Sequence, residues 1–197
     1  MLIRLGERNL QTKFGTFLEI LFYDGQSEVI AIVMGNVENE ENVLCRVHSS
    51  CISAHVFNSI ECECREDMEM SQFLIEQKGQ GVIIWLDQEG KGNGHLALME
   101  SIKFKKAGFS QSEAYKKAGY EKDARNYRQA AQILSALKVK SVVLLTNNPA
   151  KAKDLQSESI IVSDTKQIMI PEEGNDELLK TYQDKLRTRY STELKSY

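Results

Sequence analysis

Two short apolar runs constrain this chain most. Val82-Ile83-Ile84-Trp85-Leu86 and Ser141-Val142-Val143-Leu144-Leu145 are too short for ordinary helices and show no polar alternation. Both therefore read as strands buried on two faces. Helical patterns separate them. Leu96 to Ala107 closes at Gly108. Glu113 to Ala118 closes at Gly119, with Ser110 or Ser112 as its cap. Asp123 to Leu137 places Ala124, Tyr127, Ala131, Leu134 and Leu137 on one face, with Asp123 at the N-cap position and Arg125 and Arg128 on a solvated face. Strand, helix, strand, helix predicts a βαβ layer. Ligands of such sheets bind at the carboxyl ends of the strands.

The N-terminal part has a different pattern. Thr16 to Tyr23, then Asp24-Gly25, then Glu28 to Met34 read as a hairpin, and Val43 to Val47 as a third strand of an antiparallel meander. Glu66 to Lys78 reads as a helix ended by Gly79 or Gly81, and Lys151 to Leu155 as a helix after the second apolar run. Ile160 to Val162 is expected as a short edge strand. The expected fold mixes α+β and α/β character: an N-terminal antiparallel β meander joined to a mixed β-sheet flanked by helices. One domain is expected over 1–197, with 176–197 a helical C-terminal tail that packs on a partner subunit or frays.

Charge excludes some functions. A net charge of −3 is not that of a polyanion-coating surface, so no nucleic-acid partner is expected. The first fifteen residues carry charge throughout and lack the apolar core of a signal peptide. No run is long enough to span a bilayer. The expectation is a soluble cytoplasmic protein without a membrane partner.

Each apolar strand runs into a polar turn. After the first come Asp87-Gln88-Glu89-Gly90-Lys91-Gly92-Asn93-Gly94-His95. Glycines around a lysine at a strand-to-helix turn suit a phosphate, although the spacing is not that of a P-loop or a dinucleotide fingerprint. A turn rich in left-handed backbone fits the same residues. After the second strand come Thr146-Asn147-Asn148-Pro149, where Thr146, Lys151 and the amides of a helix start make a phosphate clamp. Both turns belong to the same expected sheet edge.

The four cysteines are unevenly placed: Cys45, then Cys51, then ten residues, Cys62, one residue, Cys64. Cys-x-Cys is too tight for an easy disulfide. Thiolates suit Zn²⁺, and three ligands would leave one tetrahedral position open. Ordinary buried thiols are the alternative, and Cys45 on its strand reads as core. His48, on residues alone, reads as a structural hydrogen-bonding group.

Taken in order, RVHS-x-C, C-x-C, QEG-K-G-x-G after a strand, D-x-R-x-Y, and LLTNNP-x-K resemble GTP cyclohydrolase II of riboflavin biosynthesis. Thr12 to Phe17 at the start and a helical stretch near 175–186 extend the resemblance over nearly the whole chain. The resemblance implies a hydrolase that opens the imidazole ring of GTP and releases formate and pyrophosphate. It implies one Zn²⁺ per chain on Cys51, Cys62 and Cys64, activating water toward the ring, with Mg²⁺ accompanying the triphosphate. It implies Asp123 as proton acceptor, and Arg125 as nucleophile toward the α-phosphorus or as electrostatic clamp. Since arginine is almost never deprotonated, the clamp is the better chemistry. Substrate contacts are implied at Arg46, Val47, His48, Ser49, Ser50, Asp67, Glu89, Gly90, Lys91, Gln111, Thr146 and Lys151. The family implies a homodimer.

The chain also departs from the family pattern. Ser50 stands where the family has glutamate, Arg65 where it has glycine, Asp67 where it has glutamine and Lys91 where it has arginine. Ile102 stands at a tyrosine position beside the base, with Tyr115 and Tyr120 available to replace it, and Gln111 stands near a threonine. These departures concern recognition more than hydrolysis. They leave two alternatives: another purine or a pyrimidine nucleotide as substrate, or a non-catalytic nucleotide-binding relative. A fourth metal ligand from Cys45, His48 or His55 would favour the latter.

Overall fold

The structure is a computed structural model that describes residues 2–148, 150–169 and 176–187. In chain order the strands are β1 (Ile3–Thr12), β2 (Gly15–Tyr23), β3 (Glu28–Met34), β4 (Val43–Ser49), β5 (Gly81–Leu86), β6 (Val142–Leu145) and β7 (Val162–Lys166). The helices are α1 (Ile52–His55), α2 (Cys64–Lys78), α3 (His95–Lys106), α4 (Gln111–Lys117), α5 (Arg128–Ala136), α6 (Ala150–Ser157) and α7 (Asp176–Arg187), with a 3-10 turn at Glu89–Gly92. One seven-stranded sheet has the order β1-β2-β3-β5-β4-β6-β7. The pairs from β1 to β5 are antiparallel, and β5-β4, β4-β6 and β6-β7 are parallel. This is the mixed sheet with flanking helices that the sequence implied. Among the described residues no helix is long and apolar enough to cross a membrane.

Alternation along the strands divides the core in two. Cys45 and Val47 of β4 join Val82, Ile84 and Leu86 of β5 and Val142 and Leu144 of β6 under α5 and α6, where Ala130, Ile133, Leu134 and Leu155 cover them. Leu44, Ile83, Val143 and Leu145 face the other way and meet Met70, Phe73 and Ile75 of α2. Burial on both faces explains the unbroken apolar runs of β5 and β6. α2 stops where Gly79 takes a left-handed conformation (φ 72°) and closes the last turn.

Four expectations need correction. β1 adds a strand that the sequence reading omitted. Most of its residues are exposed, and charged side chains are common on such an edge, so no apolar stripe announced it. β4 does not continue the meander; it lies beyond β5, between β5 and β6. The helix expected from Asp123 starts only at Arg128, so Asp123 is not its N-cap. The edge strand expected at 160–162 runs from Val162 to Lys166, and begins where β6 offers free carbonyls and amides.

α7 packs on its own chain, which gives the expected tail an intramolecular contact. Tyr182 stacks on Phe14 at 6.2 Å and meets Phe73 edge-on at 5.3 Å. Lys185 bonds Glu76 of α2 at 2.9 Å. Pro149, Asn175 and the stretch of the expected tail beyond 187 lie outside the described residues. If this helix is part of the domain, Tyr182→Ala will lower unfolding stability by about 3 kcal/mol, as removal of a buried aromatic ring does. Urea denaturation reads this, and an unchanged midpoint would make α7 an appendage.

Candidate active site

The thiol cluster is built by the chain that leaves β4. Cys51 precedes α1, Cys62 lies in the following loop and Cys64 opens α2. Cys51 and Cys62 Sγ lie 3.7 Å apart, and all three sulfurs fall within 4.8 Å of one another. A tetrahedral Zn²⁺ with Zn–S bonds of about 2.3 Å would place its sulfurs roughly 3.8 Å apart. The soft donor set and its spacing thus fit that ion. Among the described residues no histidine, carboxylate or fourth cysteine joins the group, so Cys45, His48 and His55 do not close the coordination shell. Burial pushes the Cys51 and Cys64 thiols up, and Cys62 adds to the effect on both. A bound cation reverses that balance and takes thiolates. Cys45 is separate: it is buried in the core, and burial pushes its thiol up to about 12.

Arg65, a departure from the family pattern, has a structural use. Its guanidinium donates to the carbonyl oxygens of Ala54 and His55 at 2.6 Å, and the His55 ring pairs with the Cys51 carbonyl at 2.7 Å. These bonds tie α1 to α2 and so tie Cys51 to Cys64. His48 stacks on Trp85 at 5.7 Å, and its Nδ1 accepts from Arg46 at 3.4 Å. Burial, then Arg46, holds its pKa well below 6.5, so the ring is neutral. Its Nε2 has no protein partner.

Cations gather at the carboxyl ends of β4 and β6. Arg46 is buried and donates to Asp67 at 2.8 Å and to the Leu145 carbonyl at 3.1 Å. Lys151 is buried and donates to the Val47 carbonyl at 3.0 Å. Burial, then Arg46 and Arg125, pushes its ammonium down to about 7. Ser50 donates to Asp87 at 3.1 Å, and Thr146 Oγ1 accepts from the Asn148 amide at 3.0 Å.

The glycine turn takes the left-handed form. Gly90, Lys91 and Gly92 have φ of 60°, 55° and 82°. Glu89 accepts from the Ile52 amide at 2.7 Å and so links this turn to α1. Lys91 donates to Ser112 at 2.8 Å. A Cβ at Gly92 would come within 2.8 Å of the Ala124 carbonyl carbon, and the Ala124 amide donates to the Lys91 carbonyl at 2.9 Å. This strap keeps residues 123–127 out of the helix. Arg125 grips Asp123 with two guanidinium bonds of 2.8 and 2.5 Å, so the carboxylate is spent on Arg125 rather than on a cap. Burial works to raise Asp123, but Arg125 outweighs it and its pKa falls. Burial works to lower Arg125, but Asp123 outweighs it and its pKa rises.

The three thiols, Arg46, His48, Lys151, Glu89 to Lys91 and the Asp123–Arg125 pair face one cavity of about 1080 Å³. Its wall includes Cys51, Cys62, Cys64, Asp123, Arg125, Arg46, His48, Ser49, Ser50, Asp67, Glu89, Gly90, Lys91, Gln111, Thr146 and Lys151. Of the metal-ligand, catalytic and substrate-contact residues that the resemblance implied, Val47 alone is absent: its side chain lies in the core on the other face, and only its carbonyl serves, by holding Lys151. The wall also contains Leu98, Met99, Ile102, Lys105, Lys106, Ser112 and Tyr115. They sit on α3 and α4, where helical spacing alone does not tell a cavity wall from solvent. Tyr120 is not among the wall residues and bonds Glu100 instead.

A family model described as GTP cyclohydrolase II matches residues 4–167. The chain is 36% identical to the riboflavin biosynthesis protein RibBA of Endomicrobium trichonymphae, over 90% of this chain and 45% of that protein. It is 38% identical to RibBA of Bacillus cereus, over 94% of this chain and 48% of that one. It thus spans less than half the length of these relatives. A solved structure of RibBX, a two domain 3,4-dihydroxy-2-butanone 4-phosphate synthase from A. baumannii, covers 86% of this chain and 40% of that one, at 18% identity and a TM-score of 0.46. A likeness that loose carries no weight for the fold or the chemistry.

Lys151 makes stability depend on pH. Its pKa drops from 10.5 unfolded to about 7 folded, so between those values the unfolded chain holds a proton that the folded chain lacks. This group's contribution therefore rises with pH across that window and is flat below it. Urea midpoints from pH 7 to 9 are expected to rise more steeply for the wild type than for Lys151→Met. Parallel profiles would refute the burial of a neutral amine.

Proposed function

The chain belongs to the GTP cyclohydrolase II family, and on that footing we propose that it is a hydrolase that opens the imidazole ring of GTP, releasing formate and pyrophosphate, as a step of riboflavin biosynthesis. One observation carries this reading: a three-thiol cluster with no fourth protein ligand among the described residues shares a cavity wall with the Asp123–Arg125 pair and Lys151. Three-ligand sites with an open position are the catalytic kind, whereas structural zinc sites are usually closed by a fourth. That favours an enzyme over a purely binding relative.

Cys51, Cys62 and Cys64 would hold Zn²⁺, which when bound supplies a Lewis acid and a water acidic enough to be nucleophilic near neutral pH. The remaining work belongs to the side chains. Arg125 acts as a clamp on the α-phosphate: its raised pKa keeps it cationic and unfit as a nucleophile. As Arg125 turns to phosphate it releases Asp123, whose own pKa then climbs with burial toward that of a useful proton acceptor. Lys151, Lys91 and Arg46 supply further positive charge, and Thr146 a hydroxyl. An arriving phosphate favours the charged form of Lys151, so binding takes up a proton. Mg²⁺ would enter with the triphosphate and neutralise it. A cytoplasmic homodimer belongs to the same proposal. The exposed apolar side chains Phe57 and Ile60, at 71% and 98%, offer surface for a partner subunit.

The substitutions in the wall favour a second reading, a different nucleotide ring. Asp67 is paired with Arg46, and Ile102 contributes an apolar surface where a polar one is expected. Zinc-loaded protein with GTP and Mg²⁺ is expected to release formate, and mass spectrometry of the products reads the ring chemistry. Untouched GTP beside turnover of another nucleotide selects the second reading. Cys62→Ser is expected to lose metal and activity together; a metal-free, active variant would remove zinc from the mechanism.

A further inference from the structure

Arg65 is not a wall residue of the cavity, and the reading above gives it no part in the reaction. It directly follows Cys64, and its side chain crosses to α1, the four-residue helix that begins next to Cys51. Its Nε and Nη2 donate to the Ala54 carbonyl at 2.9 and 2.6 Å, and Nη2 donates also to the His55 carbonyl at 2.6 Å. Both carbonyls belong to the carboxyl end of α1, where a helix has no partners of its own to offer. A planar fork of fixed N–H donors suits two adjacent carbonyls.

A helix of one turn does not hold itself together in water. α1 is held from outside at both ends. At its start the Ile52 amide donates to Glu89 at 2.7 Å, and Arg65 closes its end. Cys51 is bound to the same unit. Its carbonyl accepts from the His55 amide at 3.0 Å and from the His55 ring Nδ1 at 2.7 Å. The His55 ring in turn stands edge-on to Trp85 at 5.1 Å. The chain that leaves α1 has little packing to hold it: Val56, Phe57 and Ile60 are exposed, and Ala54 is the buried residue of α1. Arg65 thus fixes where Cys51 stands relative to Cys64.

Three thiols grip an ion best when they already stand around it; otherwise the ordering of the loop opposes binding. We propose that Arg65 is a positioning residue of the thiol centre. By closing α1 it holds Cys51 in reach of Cys62 and Cys64, and so sets how tightly and how long the metal ion is retained. This rests on the reading of the thiols as a Zn²⁺ site. It deepens that reading at a position where this chain departs from the expected family glycine, which has no side chain to make such bonds. Groups that orient metal ligands typically change metal affinity by about 10- to 100-fold. The effect counts most where no fourth side chain among the described residues makes up for a displaced sulfur.

Arg65→Ala removes the fork, and Arg65→Lys keeps the charge without it. Zinc affinity, read by competition with a chromophoric chelator, is expected to weaken about 30-fold in Arg65→Ala, and Arg65→Lys to recover only a minor part of that loss. The rate of zinc loss to excess chelator should rise in parallel. Trp85 is the single tryptophan of the chain and stands against the His55 ring. Its emission should hardly change when zinc is added to the wild type, in which α1 is already placed. It should change in Arg65→Ala, in which the metal has to order α1. Should Arg65→Ala fail to fold, Arg65→Lys carries the same comparison, with an expected loss of at least about threefold. Equal zinc affinity in wild type and Arg65→Ala overturns the proposal. Full recovery by lysine does so too, because charge and not the strap would then be responsible. The two readings fail in different ways: a wild type that takes up no zinc removes the metal site and this proposal with it, whereas equal uptake by wild type and variants removes this proposal alone.

Discussion

The parallel pairing of β4 between β5 and β6 is the constraint on which the site depends. Three strands run side by side in one direction; β4 and β5 end level at Ser49 and Leu86, and β6 ends at Leu145, one residue beyond the Cys45–Leu144 pair. Each then hands the chain to a different part of the cavity: the thiol loop, the glycine turn and the Thr146 turn. A β4 that merely continued the N-terminal meander would put Cys51 at the far side of β3, away from Lys151 and Arg125. Parallel pairing also buries β4 on both faces. That explains why Arg46, a charged residue in a central strand, needs Asp67 and the Leu145 carbonyl as partners.

Electrostatics then sets the character of the cavity. Burial, and then the charges of Arg46 and Arg125, lower the pKa of Lys151. His48 stays neutral for the same reasons, burial first and then Arg46. The Cys51 and Cys64 thiols are pushed up for a related reason, since burial and then the neighbouring sulfur of Cys62 disfavour their negative forms without a cation. The cavity is therefore poised in two opposite senses. The thiol side gains from a cation and the lysine side gains from an anion. A metal ion and a phosphorylated ligand satisfy both, and each then deepens the field that favours the other.

Much of this was legible in the residues, for physical reasons that differ by element. β5 and β6 were plain because burial on two faces leaves an unbroken apolar run. The thiol cluster was plain because its short spacing leaves the chain few ways to keep the cysteines apart. The fate of Asp123 was not. Its helical periodicity is real but begins to count only at Arg128, because Gly92 lets the glycine turn press on Ala124 and the Lys91 carbonyl captures the Ala124 amide. That contact joins segments thirty residues apart and has no local signature. β1 was hidden for the opposite reason: its backbone pairing asks nothing of its side chains. Leu98 and Met99 were visible as residues but not as a wall, since helical spacing alone does not say which face of α3 meets the cavity.

Of the departures from the expected family pattern, Ile102 and Gln111 fall on α3 and α4, which can change separately from the thiol cluster, whereas Ser50, Arg65, Asp67 and Lys91 lie beside the thiols or in the glycine turn. The thiols, the glycine turn and the Asp123–Arg125 segment are cross-tied: Glu89 to the Ile52 amide, Arg65 to α1, and Ala124 to Lys91. Moving one of them strains the others. The α3–α4 wall is less committed. It presents Leu96, Met99, Ile102 and Phe109 partly or largely exposed, and its own order comes from the Ser110–Glu113 capping box and the Gln111–Ser101 bond within the pair. A wall held by its own contacts can exchange a side chain without disturbing the thiols. Lys91 shows where the two systems meet: its backbone belongs to the strap and its ammonium to Ser112 of α4. Exchange of side chains on the α3–α4 wall around a fixed thiol cluster is the divergence such an arrangement permits.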